Sequence, residues 1–147
     1  MDKISRETEL DPNYVTGFVE AAGSFTYLRS GSDGQVFTLV FGLKLPTEER
    51  QLLDEVARYF GVGRIYDVKA AAPARPSSYF RVSRQEDLEI VVEHFEKHPL
   101  RGAKRAAFEA WREMVRLKRE NFRHPPVDEL IALAARLSST SRRRRER

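Results

Sequence analysis

Tyr14-Val15-Thr16-Gly17-Phe18-Val19-Glu20-Ala21-Ala22-Gly23-Ser24-Phe25 is the stretch on which the reading of this chain turns. Asp11, just ahead of it, offers a carboxylate for a helix N-cap, and Pro12 suits a first helical turn, where a missing N–H costs nothing. Gly17 and Ala21 stand four residues apart, so a helix places both small residues on one face, where a second helix can approach closely. Gly23 closes the helix, and Ser24 to Ser30 then reads as a strand.

Working outward, Gly31 to Gly34 forms a turn and Gln35 to Leu45 a longer strand. Phe37, Leu39, Phe41, Leu43 and Leu45 fall on one side, and Val36, Thr38, Val40, Gly42 and Lys44 on the other, which is the period of two that defines a strand. Pro46 ends it, and Thr47 is placed to cap a helix from Glu48 to Phe60 with Leu52, Leu53, Val56 and Phe60 as its apolar stripe. Gly61 and Gly63 release that helix into a second hairpin, Arg64 to Val68 and Tyr79 to Val82, joined by a loop rich in Ala and Pro. Ser83 with Glu86 has capping-box spacing ahead of Leu88, Val91, Val92 and Phe95, and Pro99 interrupts that helix. Further helices are expected at Gly102 to Lys118 and at Asp128 to Leu137, followed by the basic, flexible tail 138–147 with Arg142 to Arg145 and Arg147.

The order helix-strand-strand, helix-strand-strand, then helices predicts one α+β domain over 1–137, a four-stranded antiparallel sheet with one face under helices and the other open. The 147 residues suffice for one sizeable core. The 26 Lys and Arg against 22 Asp and Glu give a formal charge of +4, which suits a nucleic-acid partner without selecting a site. No cysteine is present, so neither disulfides nor a thiolate zinc site hold the fold. Nor is there a long apolar span or a secretion signal, so an intracellular, cytoplasmic or organellar protein with no membrane partner is expected. His94, His98 and His124 lack compact metal-site spacing and are expected at the surface or the edge of the core.

The run Gly17-Phe18-Val19-Glu20-Ala21-Ala22-Gly23 resembles the signature of the LAGLIDADG homing endonucleases, a helix ending Gly-hydrophobic-hydrophobic-acid-small-acid-Gly that enters a strand directly. Phe60 to Gly63, Tyr79 to Ser83 and Pro99 to Lys104 follow in the family's order, so the resemblance covers roughly residues 10 to 120. It implies an α-β-β-α-β-β-α domain with a curved DNA-binding sheet. It further implies a single-motif homodimer centred on Gly17 and Ala21, a near-palindromic double-stranded target, and Mg2+-dependent phosphodiester hydrolysis. Ala22 stands where the family places its metal-binding acid, which implies impaired catalysis. Lys104 matches the basic residue near the scissile phosphate, with Arg101 and Arg105 as alternates if the match is displaced.

Glu20, two residues upstream of Ala22, points about 200° around the helix and is not a substitute ligand. With the family in view, the open sheet face is expected to carry DNA contacts from Thr26, Leu28, Ser30, Val36, Thr38, Val40, Gly42, Lys44, Arg64, Tyr66, Tyr79 and Arg81. Arginines there can donate paired hydrogen bonds to base edges, and aliphatic side chains can meet thymine methyls. Arg29 has the opposite parity and is expected at the core edge or on backbone. Two alternatives stay open: a natural DNA-binding regulator that has lost cleavage, and an intron-RNA-binding maturase.

Overall fold

The computed structural model describes residues 9–69 and 73–145, with residues 140–145 described by their backbone. Helix α1 (Pro12–Ala22) is capped as expected, the Asp11 carboxylate accepting from the Asn13 N–H at 2.8 Å. It passes without a loop into β1 (Gly23–Ser30), which turns back through Gly31–Gly34 into β2 (Val36–Pro46). Helix α2 (Arg50–Phe60) follows, then β3 (Arg64–Val68), β4 (Ser77–Val82), α3 (Gln85–Lys97), α4 (Ala103–Glu120) and α5 (Val127–Arg145). The strands form one antiparallel sheet in the order β1-β2-β4-β3, so the two hairpins join through β2 and β4 and leave β1 and β3 as edges.

The side of β2 carrying Phe37, Leu39, Phe41 and Leu43 is buried beneath the helices. Phe25 sits at the centre of that layer, its ring 5.2–5.4 Å from those of Phe41, Phe95, Phe108 and Trp111. Aromatics concentrate here because each buries a large apolar area, and tilted ring pairs add to that term. Gly61 ends α2 at φ +73°, and Gly63 at φ +92° lets β3 start hard against β4. A Cβ on Gly63 would lie 2.7 Å from the Arg81 carbonyl oxygen, so close approach and backbone both require glycine.

Three local expectations are corrected. Thr47 opens a short 3-10 turn (Thr47–Glu49) rather than capping α2, which starts at Arg50 behind Glu49; the Thr47 hydroxyl lies 3.2 Å from Ser78 Oγ instead. Ser83 does not cap α3; the helix starts at Gln85 after Arg84, which makes no side-chain cap, and Arg84 instead pairs with Glu86. The last helix does not stop at Leu137 but continues to Arg145, the residues from Ser138 onward extending a helix already nucleated against α4 by Leu130, Leu133, Ala134 and Leu137. Arg147 lies outside the described residues.

Candidate nucleic-acid interface

Antiparallel register decides which side chains share the open face. Thr26 lies opposite Val40, Leu28 opposite Thr38 and Ser30 opposite Val36. Gly42 faces Arg81 and Lys44 faces Tyr79 across the sheet centre, while Arg64 faces Arg81 and Tyr66 faces Tyr79 at the β3 side. Directly opposed residues point the same way, so all twelve expected positions lie on the side away from the helices. Ser24, opposite Gly42, and Val68, opposite Ser77, belong to the same face and were missed. Strand alternation alone contained them, Ser24 at the start of β1 and Val68 at the end of β3, each one step beyond the expected run.

Two of the twelve are corrected in exposure. Val40 and Gly42 are buried, because they sit mid-sheet at the floor of a groove of about 320 Å³. Ala22, Ser24, Thr26, Leu28, Lys44, Tyr79 and Arg81 line the same groove. Gly42 gives the floor its depth, and Leu28 and Val36 remain more than half exposed on the flank.

The charges on this face stand in surroundings free of acids. Arg50, Arg84, Arg105, Arg116 and Arg119 all have carboxylate partners. Among the described residues, Lys44, Arg64 and Arg81 have none, and the face bears no Asp or Glu. Tyr79 takes both neighbours instead, with Arg81 5.2 Å and Lys44 5.5 Å from its ring centroid. Arg64 and Arg81 stand directly opposite one another, an arrangement that costs stability unless an anion bridges them. Arg29, on the other side, lies 4.8 Å over the Phe37 ring and donates to the Gly34 carbonyl at 2.8 Å, as its parity predicts.

At one end of the groove α1 meets β1. Ala22 is half-buried and presents a methyl. Glu20 turns away, its carboxylate accepting from the N–H of Arg101 at 2.7 Å and of Gly102 at 3.4 Å, which fastens α1 to the start of α4. A carboxylate at a helix N-terminus is favoured by the helix dipole and the unpaired N–H groups there. This docking brings Lys104, buried, against the end of α1, where its ammonium donates to the Gly23 carbonyl. Arg101 and Arg105 are exposed, and Arg105 is paired with Glu109 at 3.3 Å.

These donors do not fit a magnesium ion. Position 22 offers no oxygen from its side chain, the nearest carboxylate in sequence is committed to α4, and the Gly23 carbonyl receives an ammonium. Among the described residues no group of three His, Asp or Glu is arranged to hold a metal.

His94 is buried rather than at the surface, and its neighbours fix its tautomer. Thr16 spends its hydroxyl proton on the His98 carbonyl at 2.8 Å, so it accepts from His94 Nε2–H at 3.0 Å; Nδ1 then accepts from the Tyr59 hydroxyl at 2.9 Å. Burial first, and His98 second, push the His94 pKa down to about 4, so the imidazole is neutral. Burial, followed by Glu9 and Asp11, raises that of Tyr59.

The helix-into-strand junction, the two-hairpin sheet and the groove at their meeting point match the arrangement that the resemblance implies. A family model described as LAGLIDADG endonuclease matches residues 15–115, and the chain belongs to that family. It is 33% identical over 118 residues to the Neurospora crassa "Probable intron-encoded endonuclease 2", covering 76% of this chain and 25% of that protein. The chain spans about a quarter or less of the curated relatives it matches. Homing endonuclease I-GzeII, solved in complex with its DNA target, superposes with a TM-score of 0.75 at 27% identity, over 86% of this chain but 44% of that one. Homing endonuclease I-TnaI superposes with a TM-score of 0.71 at 25% identity over 92% of this chain and 98% of its own. No helix among the described residues is long and apolar enough to cross a membrane.

Proposed function

We propose that two copies of this chain associate through the α1 face bearing Gly17 and Ala21 and bind double-stranded DNA of near-palindromic sequence across their sheets, with little or no strand cleavage. The observation that carries this reading is the acid-free face on which Lys44, Arg64 and Arg81 stand without carboxylate partners. Such a face is destabilised by its own charge and relieved by phosphates and base edges.

The dimer is supported by the shape of α1. Tyr14, Gly17 and Ala21 are exposed along one side of it, and a Cβ on Gly17 would meet nothing within 4 Å. I-GzeII is a chain of which this one covers 44%, so a second copy supplies a comparable remainder. A two-fold pairing would put both position-22 sites side by side, neither with a carboxylate. The family's magnesium chemistry, which polarises phosphate and activates water, therefore lacks its acidic ligand on both protomers. Lys104 would remain as a fixed positive charge beneath the α1–β1 junction, suited to holding a phosphate.

The test begins with a duplex selected from a randomised library by the protein itself, since the target is unknown. Binding and Mg2+-dependent double-strand cleavage are then measured on that duplex for the unaltered chain, Ala22→Asp and Ala22→Glu. Binding by all three with cutting by an acidic variant alone supports the reading. Cutting by the unaltered chain rejects the assignment of position 22. Failure of the library to yield any retained duplex rejects DNA recognition, and retention of structured intron RNA instead would favour a maturase.

A further inference from the structure

Strand β4 pairs with β2 only from Phe41 to Pro46, so the sheet does not keep its full width. Beyond that pairing, β2 runs from Val36 to Val40 with Thr26 to Ser30 of β1 as its one strand partner among the described residues, and the sheet ends as a two-stranded ribbon. The ribbon is braced from behind. Its helix-side residues Phe37 and Leu39 are buried, the Trp111 indole donates to the Thr26 carbonyl at 3.0 Å, and the Lys118 ammonium donates to the Phe37 carbonyl.

The open side of the ribbon carries a chemistry of its own. Lys44, Arg64, Tyr66, Tyr79 and Arg81 all lie at the levels of Gly42 and Lys44, where β2, β4 and β3 run side by side. The ribbon presents Thr26, Leu28, Ser30, Val36, Thr38 and Val40, with no charge of either sign. Leu28 is 57% and Val36 52% exposed. Leu28 stands opposite Thr38 and so lies diagonal to both Val36 and Val40, within reach of one apolar patch framed by hydroxyls.

Base edges in the major groove sort these residues by what they can read. Guanine is read by the donors of Arg or Lys, adenine by the amide of Asn or Gln, and cytosine by a carboxylate; the ribbon has none of these. Its hydroxyls suit any base, whereas its aliphatic groups suit the C5-methyl of thymine. A two-stranded ribbon is also the width that the major groove admits. Strand β1 leads away from Ala22, so at ~3.4 Å per residue Thr26 to Ser30 stand about 14 to 27 Å from it. In the proposed dimer that is the outer part of each half-site, roughly four to eight base pairs outward at ~3.4 Å per pair.

We propose that the β1–β2 ribbon reads a block of A·T pairs in the outer part of each half-site, with thymine methyls seated against Leu28 and Val36. This rests on the DNA-binding reading above and gives the sequence class that this part of the face selects.

The unaltered chain is titrated with the library-selected duplex and with copies in which one thymine at a time is replaced by deoxyuridine, which removes the methyl and keeps the base pair. Affinity should fall about fourfold for each thymine replaced in the outer block, as expected for one buried carbon, and should not change at thymines elsewhere. The double variant Leu28→Ala/Val36→Ala, altered at exposed positions outside the core, should bind the thymine duplex more weakly and no longer distinguish it from the uracil duplex. Selected duplexes without A·T pairs in the outer block overturn the proposal. So does uracil binding as tightly as thymine there, a uracil effect spread over all thymines, or one that survives in the double variant. In each of those cases the retained duplex leaves DNA recognition standing, and the uracil series on the unaltered chain decides the matter whether or not the variant folds. If no duplex is retained at all, DNA recognition fails first, and the role of the ribbon with it.

Discussion

In the proposed dimer, position 22 differs from a family carboxylate by one charge on each protomer, and the proposed DNA binding brings phosphates of the duplex near it. An acid there repels phosphate until a cation neutralises it; a methyl does not. Binding by the unaltered chain is therefore expected to be the same in EDTA as in Mg2+. Ala22→Glu without a divalent ion should bind about fivefold more weakly or worse, matching the ~1 kcal/mol between like charges about 4 Å apart in water. Titrating one labelled duplex under both conditions checks this, and divalent dependence in the unaltered chain would refute it. A second residue-scale expectation concerns His94. The unfolded chain protonates it near 6.5 and the folded protein only near 4, so between those values the unfolded state holds more protons. Its contribution to stability is complete above about pH 6.5 and fades as pH falls toward about 4. Thermal melts across that range should show Tm falling with acid, and His94→Gln should flatten the fall.

The strands β3 and β4 carry a conflict that sequence alone does not display. Arg64 and Arg81 lie opposite each other, so relieving one should help the fold while harming recognition. Arg64→Gln is expected to raise stability by ~0.2–1 kcal/mol in denaturant titrations. The same change, or Arg81→Gln, should narrow discrimination between matched and altered base pairs by ~1–3 kcal/mol if the arginine reads a base edge. Uniform weakening on all sequences would make it a phosphate contact instead. Gly63 sets up the pair, since it permits β3 to start against the Arg81 backbone. Gly63→Ala should cost about 2–3 kcal/mol, from the left-handed backbone and the collision together, and should disturb DNA binding through Arg64.

For the whole molecule the question is whether it works as a pair. Gly17 lies mid-helix with open space around it, so Gly17→Ala should stabilise an isolated protomer by up to ~1 kcal/mol through helix propensity. Gly17→Leu should leave the fold intact yet shift the mass in solution, and on DNA, from dimer to monomer. A dimer unaffected by leucine would move the interface elsewhere. Much of this architecture was legible in the chain itself. The alternation of Phe37 to Leu45 against Val36 to Lys44 determined both faces of β2, because a strand leaves no other arrangement for side chains of period two. The Asp11 cap, the glycines at 61 and 63 and the helix-into-strand junction were equally local, and so was the absence of an acid at position 22. Local signals misled at two helix starts where distant residues make contact: Thr47 meets Ser78, and the helix expected to begin at Ser83 starts at Gln85, whose side chain donates to the Val115 carbonyl. Nothing in sequence spacing could set Glu20 against Arg101 and Gly102, close Thr16, Tyr59 and His94 into one neutral network, oppose Arg64 to Arg81, or hold α5 helical past Leu137. Each of these depends on register or packing between segments far apart in the chain. Periodicity says which face a residue takes, and only the folded arrangement says what stands across from it.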